Sequence, residues 1–396
     1  MLARRTALKA IMAAGLAAPV FIPGLPALAK TMVSLKRAFQ GRFAVGAAIN
    51  AAQITGTDAR GVGLIEAQFN SISPEDCLKW EKVHPRPDAY DFALPDRYVA
   101  FGERNRMFVV GHVLIWHNQT PDWVFRDDKG NLLDRDGLLG RLRDHIRTVV
   151  GRYQGRIHSW DVVNEPVADD GGMRQSLWYK IIGEDYVAQA FRFAHEADPK
   201  AQLVYNDYSI ENEVKRKGAD ALITKLLADG VPVTTVGLQG HYRLDWPSLQ
   251  QLDDTISAFG RMGLKVPMTE LDIDVLPAAT SQQTADVSLK VAQNPALDPY
   301  ADGLPAAVQT QLAERYAELF RIFLKHRGVV DRVTFWGVTD GDSWKNNWPV
   351  KGRTNYPLLF DRAGRPKPAF YAVIREASLT RRRVRRMRRR VHKRAR

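Results

Sequence analysis

Short apolar runs of strand length recur eight times along this chain, with helix-length amphipathic segments between them. The runs are Phe43–Ile49, Phe69–Ser73, Met107–His112, Ile157–Val163, Gln202–Asn206, Thr234–Gln239, Val266–Glu270 and Arg332–Gly337. Leu138–Tyr153, Tyr186–Ala197, Asn212–Leu227, Ser248–Met262 and Ala306–His326 have the helical pattern. Such alternation predicts an α/β fold with a parallel sheet, and eight units close naturally into a (β/α)8 barrel of the TIM type. The other arrangement is an open, doubly wound sheet. That fold would be expected to carry a Gly-rich phosphate turn after its first strand, and Gly46-Ala47-Ala48-Ile49-Asn50 is not one. No linker-like Pro/Ser/Gly stretch divides residues 30–377, so they are expected to form one domain.

The two ends have a different composition. In residues 1–29, Arg4-Arg5 and Leu8-Lys9 precede an uncharged stretch that closes with Ala27-Leu28-Ala29, a small-x-small cleavage pattern. Paired arginines resemble a twin-arginine export signal, from which Ala3 and Ala7 depart. Pro19, Pro23, Gly24 and Pro26 oppose a stable spanning helix, so export and cleavage before Lys30 are expected rather than a membrane anchor. At the other end, residues 378–396 form an Arg-rich tail expected to be disordered. Of the net charge of +13, residues 381–396 carry ten arginines and one lysine, and the leader carries three basic residues. The body is therefore close to neutral, and the basic balance implies no nucleic acid in the active site. Spaced apolar residues Val384, Met387 and Val391 suit the tail to weak contact with an anionic surface; a solubilising end without a partner is the plain alternative.

In a barrel of this kind the chemistry gathers at the C-terminal ends of the strands. Reading those ends gives Asn50, Glu75, His112, Trp116, Asn164, Glu165, Asn206, Tyr208, Gln239, His241, Glu270, Asp272, Trp336 and Trp344. Carboxylates and amides bond hydroxyls, and indole or phenol faces stack on the C–H face of a pyranose. Glu165, in Trp160-Asp161-Val162-Val163-Asn164-Glu165-Pro166, and Glu270, in Val266-Pro267-Met268-Thr269-Glu270-Leu271-Asp272-Ile273, end two different strands. Cleaving a glycosidic bond needs such a pair, one acid to protonate the leaving oxygen and one carboxylate to attack or to activate water. The segment Pro277–Leu304 reads as a long loop bordering the cleft. Cys77, the single cysteine, reads as a small buried side chain.

These motifs resemble glycoside hydrolase family 10, the xylanases, from about Phe43 to Pro368. Ser73-Pro74-Glu75-Asp76-Cys77-Leu78-Lys79-Trp80 is similar to the family's Pro-Glu-Asn-x-x-Lys-Trp element, with Asp76 in place of the usual Asn. Gly111 to Gln119, Asn206-Asp207-Tyr208, Gly240-His241 and Trp336 to Trp344 fall in the family's order. The resemblance implies a retaining endo-1,4-β-xylanase with Glu165 as acid/base and Glu270 as nucleophile, the carboxyls about 5–5.5 Å apart. Asn164 would bond the sugar 2-hydroxyl, and His241 with Asp272 would hold the nucleophile in register. Lys79, His112, Trp116, Gln239 and Trp336 would surround the sugar on the glycone side. Glu75, Asp76 and Trp344 would shape the next sugar out, and Tyr208 would stack beyond the cut. Repulsion from a charged Glu270 is the expected reason that Glu165 stays protonated.

The expected partners are xylan and xylo-oligosaccharides. A related barrel hydrolase cutting cellulose or mannan is the near alternative, and a non-catalytic sugar-binding or surface-tethering protein the distant one. Loss of Glu165 or Glu270 would have favoured the last, and both are present. The chemistry requires no cofactor. The nine histidines include no His-Glu-x-x-His helix, so no metal is expected.

Overall fold

The computed structural model describes residues 33–281 and 284–380; the leader, 1–29, and the Arg-rich segment 381–396 lie outside the described residues. Nine strands follow one another: β1 Ala44–Ile49, β2 Ser71–Pro74, β3 Phe108–Ile115, β4 Ser159–Asn164, β5 Gln202–Asp207, β6 Thr235–Leu238, β7 His241–Arg243, β8 Met268–Asp274 and β9 Arg332–Phe335. All their pairings are parallel. The β1–β9 ladder and the Leu238–Met268 pair of β6 and β8 close the sheet into a barrel. Nearly every strand residue is buried, as expected where helices cover the outside and side chains fill the inside.

The helices follow their apolar spacing. In the helix Tyr186–Ala197, Val187, Ala190, Phe191 and Ala194 are buried, a stripe at i, i+3, i+4 and i+7 that packs on the barrel. The helix Leu249–Arg261 starts at a reciprocal capping box between Ser248 and Gln251. The last helix spans 368–380, so the expected boundary after residue 377 falls inside it.

Two strands differ from their expected ends in ways that matter to the site. β8 does not stop at Glu270 but runs to Asp274. The cause is β7: after β6, Gly240 takes φ 80°, and the chain resumes as His241–Arg243, pairing with Asp272–Asp274. A left-handed residue at this bend is open to glycine at little cost. Glu270 and Asp272 are thus fixed inside a ladder, with His241 directly opposite Asp272. Likewise β3 continues past His112 through apolar Val113-Leu114-Ile115, which carries Trp116 to the rim.

Candidate active site

Loops leave the C-terminal strand ends, and the side chains at their starts converge. Glu75 follows β2, Trp116 β3, Glu165 β4, Gln239 β6 and Trp336 β9. With Lys79, His112, Gln119, Asn164, His241, Glu270 and Trp344 they line a cleft of about 200 Å³. A larger cavity of about 450 Å³ adjoins it through Glu75 and Lys79, and Asn50, Asp76, Lys82 and Asp91 line its outer part.

Glu165 is buried, and each carboxylate oxygen has donors. Trp116 Nε1 donates to Oε2 at 2.8 Å, while Asn164 Nδ2 and Gln239 Nε2 each donate to Oε1 at 3.0 Å. Burial nonetheless raises its pKa, against those bonds and the positive charges of Arg174 and Lys215. The expected cause was repulsion from Glu270; removal from water is the one that raises it. The residue also takes φ 57°, a left-handed backbone that costs a non-glycine residue about 1–3 kcal/mol. Its amide donates to Asn206 O at 2.9 Å and its carbonyl accepts from Arg174 Nε at 2.9 Å.

Glu270 is equally buried but differently served. Asn206 Nδ2 donates to Oε1 at 2.8 Å, and His241 Nε2 lies 3.2 Å from Oε2. Burial opposes ionisation here too, yet the His241 hydrogen bond, the electrostatic influence of His112 and His241, and Asn206 together hold the carboxyl below its ordinary pKa. His241 is itself raised to about 9: burial works against its charge, and Asp272 and Glu270 on either side outweigh it. Its Nδ1 is 3.1 Å from Asp272 Oδ1, an ion-pair contact off the line of the ring N–H. Asp272 receives Trp344 Nε1 at 2.8 Å and has Lys345 Nζ at 3.6 Å.

The two glutamates share a relay of amides. Asn206 Nδ2 also donates to Asn164 Oδ1 at 2.8 Å, and Asn164 in turn donates to Glu165. Thr269 Oγ1 fixes the other end of Asn206 at 2.6 Å. Gly237 leaves room for this arrangement, since a Cβ there would stand 2.4 Å from Asn206 Oδ1 and 2.8 Å from Thr269 Cγ2.

Most residues expected at the site are there, some in different roles. His112 pairs with Asp161 through a 2.9 Å contact and meets Trp336 edge to face at 5.2 Å. Trp116 and Gln239, expected around the sugar, also hold Glu165. Lys79 lies 5.3 Å over the Trp116 ring. Glu75 is pushed up to about 7 by burial, with Lys79 opposing and Asp342 and Asp76 adding to the rise. Asp76 is at the cavity edge, 3.7 Å from both Lys79 and Lys82, and accepts from Gln119 at 3.0 Å. Trp344 stacks on Trp348 at 4.6 Å.

Tyr208 is the correction. It is 1 % exposed and lines none of the cleft; Lys215 Nζ covers its ring at 3.3 Å and Arg174 Nη2 donates to its hydroxyl at 2.9 Å. Its faces are therefore closed to a stacking sugar. Ala285 and Val287 of the loop after β8 form part of the cleft wall. Sequence reasoning missed those two, the role of Asn206, and Arg174. Among the described residues no group of His, Cys, Asp and Glu could hold a metal, and Cys77 is buried with its thiol pKa raised by burial.

A parallel barrel with two buried carboxyls at its C-terminal rim has the arrangement that a glycoside hydrolase needs. The sequence matches the model of glycosyl hydrolase family 10 over residues 34–376, and the chain belongs to that family. Endo-1,4-beta-xylanase A of Xylanibacter ruminicola is 42% identical over 351 residues, covering 89% of this chain and 95% of that one. Beta-1,4-xylanase of Dictyoglomus thermophilum is 40% identical over 344 residues, covering 86% and 90%. The structure of an endoxylanase of the same family from a sugarcane soil metagenome superposes with TM-score 0.85 at 44% identity, covering 86% of this chain and 99% of that one.

Proposed function

We propose that the chain is a retaining endo-1,4-β-xylanase in which Glu165 is the acid/base and Glu270 the nucleophile. The observation that carries the assignment of roles is the difference in surroundings of two buried carboxyls: neutral donors at Glu165, whose pKa burial raises, and His241 backed by Asp272 at Glu270, whose pKa is lowered. Glu270 attacks the anomeric carbon while Glu165 gives its proton to the departing glycosidic oxygen, leaving a glycosyl ester on Glu270. Glu165, now ionised, takes a proton from water, and that water displaces Glu270 from the opposite face. Two inversions return the original anomer. Asn164, bonded to Glu165 and linked through Asn206 to Glu270, is the residue assigned here to the sugar 2-hydroxyl.

Substrate choice follows from the walls. Trp116, Trp336, Trp344, Ala285 and Val287 enclose the cleft, and xylose lacks the hydroxymethyl arm that glucose would press against them. Hydrolysis of xylan, carboxymethylcellulose and mannan side by side, with NMR of the first anomer formed, tests this reading. It predicts xylan cleavage with a β product; an α product, or faster cutting of the glucan or mannan, would overturn it.

The leader supports export with cleavage before Lys30, and the tail's arginines support weak adsorption to anionic surfaces. The N-terminal sequence of the mature protein tests the first. Cutting the chain after Thr380, the last described residue, tests the second: salt-sensitive adsorption to anionic vesicles should vanish with activity on small xylosides retained.

A further inference from the structure

The segment after Glu165 turns back on itself. Ala168 and Gly172 close a turn in which Gly171 takes φ 84°, Val167 bridges Met173, and the Arg174 amide donates to Pro166 O at 2.7 Å. Arg174 therefore returns beside the glutamate it follows by nine positions. Its guanidinium then joins three elements. Nε donates to Glu165 O at 2.9 Å, Nη2 donates to Tyr208 Oη at 2.9 Å, and Nη1 pairs with Asp286 Oδ2 at 3.3 Å. Asp286 lies between Ala285 and Val287 of the cleft wall, and its carbonyl accepts from Trp348 Nε1 at 3.0 Å.

We infer that Arg174 is a positioning residue for the acid/base: it locks the left-handed backbone of Glu165, places a fixed positive charge beside it, and ties the β8 loop to the same point. This rests on Glu165 being the acid/base. A planar fork suits the task because its donors reach a carbonyl, a hydroxyl and a carboxylate at once, which an ammonium on a flexible stem does less well. Loss of the Nε–H would release a strained backbone, so the carboxyl would no longer be held toward the leaving oxygen.

The titratable and charged groups around the Glu165 carboxyl come from several elements. His117 Nδ1 is 3.9 Å away and stays neutral in the working range, its pKa lowered to about 4 by burial. Asp207, Tyr208 and Lys215 lie behind, and Glu270 stands across the amide relay. Arg174 and Lys215 oppose the upward shift at Glu165, so removing one positive charge should raise it further.

The test uses Arg174→Met, Arg174→Lys and Asp286→Asn in the full chain, with melting temperatures to identify any unfolded variant. Arg174→Met should move the alkaline limb of kcat/KM to higher pH. It should also reduce turnover of xylan by about 10²-fold or more, yet that of an aryl xylobioside with a good leaving group far less. Arg174→Lys should keep the limb in place while still losing xylan turnover. Asp286→Asn, which frees the loop alone, should raise KM for xylan with the limb unmoved. An unmoved limb in Arg174→Met, or an equal loss on both substrates, overturns the inference. Glu165→Ala with azide separates the two claims: if azide rescues Glu165→Ala on an aryl xylobioside while Arg174→Met leaves the limb in place, only the role of Arg174 fails. If azide does not rescue it, the role of Glu165 fails first.

Discussion

Glu165 and Glu270 are both nine-tenths buried or more, yet the pKa of the first is raised and that of the second lowered because their neighbours differ. Around Glu165 the donors touching the carboxyl are neutral: an indole and two amides. Around Glu270 one donor is a histidine whose own charge is held by Asp272 behind it. Neutral donors cannot fully replace water around a buried anion, whereas a charged one with a partner can. The difference also lies in the backbone. Glu270 sits within a ladder, and Glu165 occupies a left-handed position just past one, held by Asn206 and Arg174.

The strongest contrast is in what each glutamate does when removed. Glu270→Ala should lose activity on every substrate, on the order of 10⁴-fold or more, because nothing else can attack. Steady-state rates on xylan and on an activated aryl xylobioside check this, and activity retained on the aryl substrate would contradict it. Glu165→Ala should lose about 10²–10⁴-fold on xylan but still be glycosylated by the aryl substrate, then stall until azide is added. A burst of released phenol followed by azide-dependent turnover is the expected trace.

Removing the charged donor should make the two carboxyls more alike. In His241→Ala, Glu270 loses the hydrogen bond and charge that depress its pKa, so the acid limb of kcat/KM should move to higher pH. The stability linked to His241 has the opposite dependence. Its folded pKa of about 9 lies above the ordinary 6.5, so its contribution is full below 6.5 and disappears as pH rises through 9. The melting-temperature difference between wild type and His241→Ala should therefore narrow between pH 6.5 and 9.

A smaller effect is expected where the two surroundings meet. Gly237→Ala forces a Cβ against Asn206 and Thr269, which should cost about 1–3 kcal/mol in stability and misplace the relay serving both glutamates. Denaturant unfolding checks the cost. Smallest is Asp76→Asn at the outer cavity, where a 45 % exposed carboxylate faces Lys79 and Lys82. It should tighten binding of xylotriose and longer chains by about 2–5-fold in KM, the scale of an exposed ion pair, without changing turnover of a short activated substrate.

How much of this the sequence carried depends on where each contact comes from. The barrel was legible because strands buried on both faces are written as continuous apolar runs. Glu165 and Glu270 were legible as carboxyls beside such runs. The continuation of β8 was not, because it depends on β7 pairing beyond the bend at Gly240. Tyr208 occupies its expected place in the chain, but Lys215 from the next helix and Arg174 from the β4 loop close over it. Nothing in the sequence singles out Arg174, since only the turn at Gly171 brings it back to Glu165.

If the two buried carboxyls divide acid and nucleophile between them as proposed, the covalent sugar forms on Glu270. A xylobioside carrying fluorine at the 2-position and a good leaving group should glycosylate the enzyme faster than water can release it. Mass spectrometry of the digested, labelled protein then locates the ester. A single added glycosyl group is expected on the peptide containing Glu270. A label on the peptide containing Glu165, or hydrolysis to an inverted anomer without any label, would contradict it.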